Sequence, residues 1–225
     1  MSAMIESRLA QLEATCHALM DREAIRDVLH RYCRGADRAD LALFKSCYWP
    51  DGTDCHGFFN GNAHAFCDFV IPHLALIRNS VHSITNSLID IEGNRAFVDS
   101  QCDALHVIPV DEGKFIFQQA HCHYLDVFEK RDSIWKIRHR TFVVENFLED
   151  VRSFSHFTAD AGLPQPSPAT RAPDDLSYRR FDLLEVPIVP IDGLDLWADA
   201  RQRHAGHLDR LKSSDKPLAY PISLL

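Results

Sequence analysis

The spacing of hydrophobic residues predicts that helices come first in this chain and strands come afterwards. From Asp21 the apolar positions recur three or four residues apart, the period of an amphipathic helix, and this pattern ends near Gly35. Two further helical patterns follow at about 41–48 and about 63–77, and Pro72 is expected to kink or split the second of them. Beyond these helices the period changes to two, and turn residues divide the chain into four strands of an antiparallel meander. Helices followed by strands, without alternating strand–helix units, indicate the α+β class.

The character of the sequence changes again after Asp150. The chain becomes rich in proline, and the apolar stretch FDLLEVPIVPI contains prolines that exclude a central strand but suit an extended arm. We therefore interpret residues 1–150 as an α+β domain and residues 151–225 as a C-terminal arm with a short helix near 197–211. Because its apolar side chains would otherwise face water, the arm is predicted to lie at a subunit interface or to cover a pocket entrance.

Composition excludes several classes of protein. The chain has 225 residues, a net charge of -8 and no basic block, so the charge pattern of a nucleic-acid-binding protein is missing. No apolar stretch is long enough to span a bilayer, and the N-terminus lacks the pattern of a signal peptide. The seven cysteines are odd in number and include no Cys-x-x-Cys pair, which favours reduced thiols. These features predict a cytoplasmic protein whose partners include neither nucleic acid nor membrane.

Candidate chemistry begins at the end of the first helical pattern. Tyr32 and Asp37 lie five residues apart on a helix that is ending, so both side chains point towards the same rim. Asp37 could equally pair with Arg34 or Arg38, with Tyr32 as a core residue. His82 begins the first long strand, and a histidine beside a carboxylate becomes a base whose tautomer is set by its partner.

The later strands each carry at least one ionisable group. Asp103 and His106 lie on one strand, His121 and His123 on the next, and Arg140 on the last. A sheet face with several such groups favours an enclosed site over a plain core, because buried polar groups need partners. His121 and His123 alternate as metal ligands on a strand would, but a third ligand is missing, so no metal is predicted. Without a glycine-rich phosphate loop, no nucleotide cofactor is predicted either.

Three motifs occur in order along the chain: the AIRD and GADRAD stretches of the first helix, HSITN at the first long strand, and WKIRHR on the last strand. Together they resemble the SnoaL-like branch of the nuclear transport factor 2-like superfamily. The resemblance covers roughly Asp21 to Asn146. It implies a conical α+β barrel, in which a strongly bent, mostly antiparallel sheet is closed by three helices around an apolar pocket. It also implies a closed homo-oligomer, a trimer or a dimer.

The resemblance further implies roles for individual residues. Catalytic members of the family are cofactor-free lyases with an Asp–His pair, which matches Asp37 and His82, with Tyr32 as a pocket tyrosine. The resemblance also places Asp103 or His106 near a second polar position. From the residues themselves, the candidate substrate contacts are Asp103, His106, His123, Arg140, Phe59 and Trp49, and it stays open which of Asp103, His106 and His123 faces the pocket. Many relatives have Gly-Arg-Tyr where this chain has Cys122-His123-Tyr124, so an arginine contact is not expected there.

These observations predict a cofactor-independent lyase that acts on a hydrophobic, aromatic and hydroxylated substrate. The expected pocket wall is aromatic and consists of Phe58, Phe59, Phe66, Phe69, Phe117 and Trp49. Loss of water and cleavage of a carbon–carbon bond through a quinone methide both remain open. So do two alternatives, an isomerase of the ketosteroid type with Asp37 as the base, and a binding module without catalysis.

Overall fold

The computed structural model describes residues 2–111, 114–153 and 170–178, which all belong to one of two compact units of the chain. The second unit consists of residues 155–168 and 182–225, which lie outside the described residues. The stretch FDLLEVPIVPI and the predicted helix near 197–211 also lie outside the described residues. The predicted interface or covering role of the arm therefore stays a prediction.

Three α-helices form the helical part of the described unit: α1 (Ser2–Asp37), α2 (Leu41–Ser46) and α3 (Ala63–Leu76). The start of α1 corrects the prediction, because the helix begins well before Asp21. This added segment is rich in alanine, leucine, glutamate and methionine, which favour helix without help from a core. Pro72 does not split α3, which continues through it as one element.

The short connections around α2 are fixed by caps and by one close contact. The Asp40 side chain accepts a hydrogen bond from Leu43 N at 2.9 Å, which starts α2. Gly35 allows α1 to approach α2, since a Cβ atom there would lie 2.9 Å from the backbone of Phe44. Tyr48, predicted to continue the second helix, instead begins the first strand.

Six strands form one curled sheet that does not close into a complete barrel. In chain order they are β1 (Tyr48–Cys55), β2 (Asn60–Asn62), β3 (Asn79–Glu92), β4 (Arg95–Asp111), β5 (Lys114–Arg131) and β6 (Ile134–Ser153). Their order in the sheet is β2-β1-β6-β5-β4-β3, and only the β1–β6 pair is parallel among these strands. The predicted α+β class and the bent, mostly antiparallel sheet are confirmed. β6 runs past residue 150, where the first domain was predicted to end.

The alternation of side chains along β4 and β5 decides which residues can reach a site. Even-numbered residues such as Cys102, Ala104 and Tyr124 are buried on the concave face under the helices. Odd-numbered residues such as Asp103 and His121 lie on the opposite, outer face. The concave face and the helices together enclose the core.

In the described residues, none of the helices combines the length and the apolar character needed to cross a membrane.

Candidate active site

His82 and Asp37 form a tightly held pair where the end of α1 meets β3. The Nδ1 atom of His82 lies 2.7 Å from Asp37 Oδ1, and the backbone N–H of His82 donates to Asp37 Oδ2 at 3.0 Å. Ser80 Oγ donates to Asp37 Oδ1 at 3.1 Å. Because the carboxylate holds Nδ1, Nε2 is the ring nitrogen that remains for a ligand.

The surroundings of His82 favour its protonated form. Burial by itself lowers the pKa of His82, but the hydrogen bond and the negative charge of Asp37 outweigh burial and raise the pKa above its ordinary value. This balance gives a base that holds a proton firmly once it has taken one.

A segment from beyond residue 150 holds the end of α1 in place. Arg171 donates hydrogen bonds to the backbone oxygens of Asp37 at 2.6 Å, Ile77 at 2.7 Å and Leu74 at 3.2 Å. The side chain thus ties the last residue of α1 to the end of α3. Arg171 consequently positions Asp37 without contacting its carboxylate in any described hydrogen bond.

A cavity of about 150 Å³ lies between the helices and the concave face of the sheet. Its aromatic lining consists of Tyr32, Phe44, Phe58, Phe66, Tyr124 and Phe142. His56, His82, His106 and Gln118 contribute the polar lining. Asp37 is not among the described residues that line this cavity; it lies behind His82, beside a separate shallow groove.

His106 faces the same cavity next to His82. Their ring centroids are 5.2 Å apart, and His106 Nδ1 lies 3.4 Å from Gln118 Oε1. Burial and the nearby charge of His82 lower the pKa of His106, which favours a neutral ring. Its Nε2 atom is buried and has no hydrogen-bond partner among the described residues. A buried polar atom without a partner is costly, so this nitrogen is suited to a polar group of a bound ligand.

A second histidine–aspartate pair borders the cavity, and the sequence analysis missed it. Asp54 on β1 is wholly buried, accepts a hydrogen bond from Tyr48 Oη at 2.5 Å and contacts His56 Nδ1. The ring of His56 is stacked between Phe66 at 4.4 Å and Phe142 at 4.8 Å. From sequence the stretch TDCHGFFNG indicates only a short strand. The spacing of Asp54 and His56 could have indicated the pair, because residues two positions apart on a strand share one face.

Tyr32 lies at the cavity, whereas Arg140 does not line it. Tyr32 is 3% exposed, and burial raises the pKa of its hydroxyl well above the ordinary value. Arg140 is wholly buried and forms two 2.7 Å hydrogen bonds with Asp126. Its guanidinium lies over the rings of Tyr32 at 4.0 Å and Tyr124 at 3.9 Å. The predicted substrate contact of Arg140 is corrected, because Arg140 is not among the described residues that line the cavity. Its Nε and Nη2 atoms bind Asp126, while Nη1 has no described hydrogen-bond partner.

Asp103 and His123, predicted to contact substrate, lie on the outer face of the sheet. His121 Nδ1 is 2.5 Å from Asp103, and His123 contacts Asp99 at 2.9 Å and Glu145 at 3.3 Å. The sequence left open which of Asp103, His106 and His123 faces the pocket, and in the structure it is His106 that lines the cavity. Within the part of the chain that the structure describes, no group of three or more His, Cys, Asp or Glu is arranged to hold a metal ion.

The aromatic wall is also only partly as predicted. Phe58 and Phe66 line the cavity, whereas Phe59, Phe69, Phe117 and Trp49 are not among its described lining residues. Phe59 packs behind the wall, with its ring 5.5 Å from that of Phe66. The indole N–H of Trp49 donates to Glu129 O at 2.9 Å, and this hydrogen bond holds the ring of Trp49 against the end of β5.

This fold and this site define an α+β cone protein with a histidine-lined cavity. The chain belongs to the SnoaL-like domain family, whose family model matches residues 17–141, and this confirms the resemblance found in the sequence. A comparison with curated proteins found no significant match.

Solved structures with the same fold are distant in sequence. A LinA-type3 hexachlorocyclohexane dehydrochlorinase from Novosphingobium barchaimii is 19% identical, with a TM-score of 0.52 over 68% of this chain and 99% of that chain. A scytalone dehydratase-like protein from Novosphingobium aromaticivorans is 18% identical, with a TM-score of 0.53 over 70% of this chain and 99% of that one. At such identities the likeness establishes the fold, while function has to be argued from the site.

Proposed function

We propose that this protein is a lyase that removes water from a small hydroxylated aromatic compound without a cofactor. The observation that carries the proposal is the position of His82. Its Nδ1 is held by a carboxylate while the ring lines an aromatic cavity. This is the arrangement of a base and its orienting group.

His82 is the general base in this proposal. With Nδ1 donating to Asp37, the neutral ring presents the lone pair of Nε2 and takes a proton from the substrate. Asp37 then stabilises the imidazolium that forms, as its effect on the pKa of His82 already indicates. Proton transfer by a positioned side chain contributes typically about 10²- to 10⁴-fold in rate.

The leaving hydroxyl needs a proton from another group, and His56 is suited to supply it. His56 lines the same cavity, is oriented by Asp54 and is stacked on two aromatic rings. Aromatic faces favour a cation, and an adjacent carboxylate stabilises it further. Tyr32 can donate a hydrogen bond to an oxygen atom of the substrate. The unpartnered Nε2 of His106 can accept one from a substrate hydroxyl, because Nδ1 of the neutral ring donates to Gln118 Oε1.

The size of the cavity favours one aromatic ring in its interior. A cavity of about 150 Å³ accommodates a benzene-sized molecule. The rest of a larger substrate would extend through the opening. The six aromatic side chains around the cavity provide apolar faces for such a ring.

For a phenol with a benzylic hydroxyl group, the steps balance as follows. His82 takes the phenolic proton, the benzylic C–O bond breaks, and the hydroxide leaves as water with the proton of His56. The product is a quinone methide. Where the neighbouring carbon carries a CH₂OH group, His56, which has given up its proton, takes the hydroxyl proton, and cleavage of the C–C bond releases formaldehyde. The electron pair returns to the ring, and the phenolate oxygen takes back the proton held by His82.

The two alternatives have less support. An isomerase of the ketosteroid type needs Asp37 as the base at the substrate, but Asp37 lies behind His82 rather than among the described lining residues. A binding module without catalysis would need no oriented histidine, and turnover separates it from the proposal.

The proposal is tested with a panel of hydroxylated aromatic compounds and no added cofactor, following dehydrated products and formaldehyde. We expect turnover of at least one benzylic alcohol that survives treatment with a chelator. Activity that disappears with the chelator and returns with zinc would contradict the proposal. Ring-bound isomer products without loss of water would favour the isomerase.

A further inference from the structure

The first half of α1 carries an apolar stripe that has no described partner within the chain. Residues 3–20 are all exposed, whereas the core contacts of α1 begin at Ile25. Leu9 is 55% exposed, Leu12 is 60% exposed and Leu19 is 62% exposed. Single exposed apolar residues are ordinary, but a row of them along one helix marks an interaction surface.

The spacing of this stripe is that of a coiled coil. The stripe residues follow one another at intervals of four, three, four and three: Ile5, Leu9, Leu12, Cys16 and Leu19. This repeat of seven places them all on one face, where the side chains of another helix can interdigitate with them. We call these five residues the seam.

The charged residues beside the seam favour one kind of partner helix and one relative orientation of the two helices. Arg8 precedes Leu9 and Glu13 follows Leu12, so one flank of the seam is basic where the other is acidic. In a parallel pair of such helices, Arg8 of one copy meets Glu13 of the other, five residues further along, and the reverse contact forms by symmetry. An antiparallel pair would bring flanks of like charge together.

The same charges disfavour a membrane surface as the occupant. Helices that lie on membranes are rich in Lys and Arg on their polar face, whereas residues 3–20 contain one arginine, no lysine and two glutamates. We propose that the seam associates in parallel with the same segment of a second copy of this chain. The association is independent of the chemistry in the cavity.

The seam is short, spanning little more than two heptads, and isolated helices of this length are marginal in water. Here the folded domain holds the C-terminal half of the same continuous helix, so that the helix does not have to be nucleated when the copies associate. Association then costs less ordering of the chain than it would for a free peptide.

The test uses the full chain and measures its mass in solution over a wide range of concentration. We expect an oligomer whose self-association is weakened at least about tenfold in the double variant L9D/L12D, since two seam residues are lost. The matched control S7D/A14D adds the same charges on the face opposite the seam and keeps the parent mass. The melting temperature of both variants should stay near that of the parent, because none of these residues contacts the core.

Cys16 reports the direction, because it is an exposed free thiol at a seam position. Mild oxidation with diamide should join two copies through a Cys16–Cys16 disulfide in the parent but not in C16S. Antiparallel helices would keep these thiols apart. If a second interface keeps L9D/L12D oligomeric, loss of this cross-link in L9D/L12D still supports the proposal.

A parent that is monomeric throughout would overturn the proposal. So would a parent that forms no Cys16 cross-link. An L9D/L12D variant that keeps both its mass and its cross-link would do the same. If the C-terminal segment of the same chain covers the seam instead, L9D/L12D would keep its mass and lose thermal stability, which also contradicts the proposal.

Discussion

The two histidine–aspartate pairs beside the cavity differ in how water reaches their carboxylates. The side chain of Asp37 is 14% exposed and borders a shallow groove behind His82, whereas that of Asp54 is fully buried. The ring of His82 has another histidine as its neighbour, while the ring of His56 is clamped between two phenylalanines. One carboxylate therefore has contact with solvent, and the other depends on its protein partners.

This difference teaches how one cavity can hold a base and an acid built from the same two residue types. A carboxylate near water is stabilised as an anion whether or not its histidine is charged, so His82 can cycle between its two forms. Two wholly buried carboxylates, Asp54 and Asp126, share the core with one buried guanidinium, that of Arg140. Leaving a buried charge without a partner of opposite sign is costly, and His56 is the described histidine that contacts Asp54.

The largest effect is expected from removing the base. His82→Asn should lower kcat about 10²- to 10⁴-fold, because asparagine cannot take the substrate proton that His82, held by Asp37, takes in this proposal. Steady-state rates with the best substrate of the panel provide the measurement. His123→Asn is the matched control, since His123 is also paired with an aspartate but lies on the outer face. Equal losses in both variants would mean that His82 has no special role.

Removing the acid should have a smaller effect that depends on the substrate. His56→Phe keeps an aromatic ring in the stack but has no proton to give, and we expect a loss of about a hundredfold for a hydroxyl leaving group. A substrate with a leaving group that needs no protonation should restore most of the rate in His56→Phe and none of it in His82→Asn. Rescue of both variants, or of neither, would remove the distinction between the two pairs.

The contrast also marks how far the sequence could predict the site. The pair of Asp37 and His82 was accessible because a helix end and a strand start carry family motifs, and the structure brings them to 2.7 Å. The second pair carries no such motif, and its role arises only when β1 joins β6 and brings His56 against Phe142. A partner that arrives by tertiary packing leaves little trace in a local pattern.

The fold shows the same division between local and tertiary information. Period and turns predicted the α+β class, but they did not fix the phase of β4 and β5. The sequence therefore left open which of Asp103, His106 and His123 faces the pocket, and the structure turns Asp103 and His123 outwards. A shift of one residue exchanges the faces of a strand, and only packing decides between them. The early start of α1 was missed because its first half contacts no core.

The pH dependence of the rate should distinguish the two pairs as well. The base must be neutral, so with the raised pKa of His82, kcat should fall as pH drops, by about tenfold per unit below that pKa. In Asp37→Asn the cause of the increase is gone, and the inflection should move to lower pH. Asp54→Asn should leave this inflection in place. A pH profile that shifts in both variants would show that the pairs titrate together.

The raised pKa of His82 should also make the folding stability of the protein depend on pH. The pKa of His82 is raised in the folded state, so protonation of His82 stabilises the fold. This stabilisation is fully present below the ordinary pKa of 6.5, and it is lost as the pH rises through the folded-state pKa. The melting temperature of the parent should therefore exceed that of His82→Asn by more at low pH than at high pH. A difference that grew with pH would contradict the raised pKa.

The smallest effect is expected from the residue that positions Asp37 from behind. Arg171→Ala removes three hydrogen bonds to backbone oxygens at the ends of α1 and α3, each worth about 1 kcal/mol net. Thermal unfolding should report a loss on the order of 1–3 kcal/mol. Because the backbone of Asp37 loosens, kcat should also fall severalfold and its pH inflection should move towards lower pH, with KM little changed.

Arg131→Ala is the control for Arg171→Ala, since Arg131 also makes several hydrogen bonds but makes them to Asp51 and Glu129, not to Asp37. Because water screens exposed ion pairs of this kind, they add little to stability, so this variant should keep its stability, its rate and its pH profile. If Arg171→Ala lost stability but kept the pH inflection of the parent, Arg171 would only support the fold. If the pH inflection moved in Arg171→Ala but not in Arg131→Ala, Arg171, which lies 134 positions from Asp37 in the sequence, would control the strength of the Asp37–His82 pair. The His56 pair would then be unaffected.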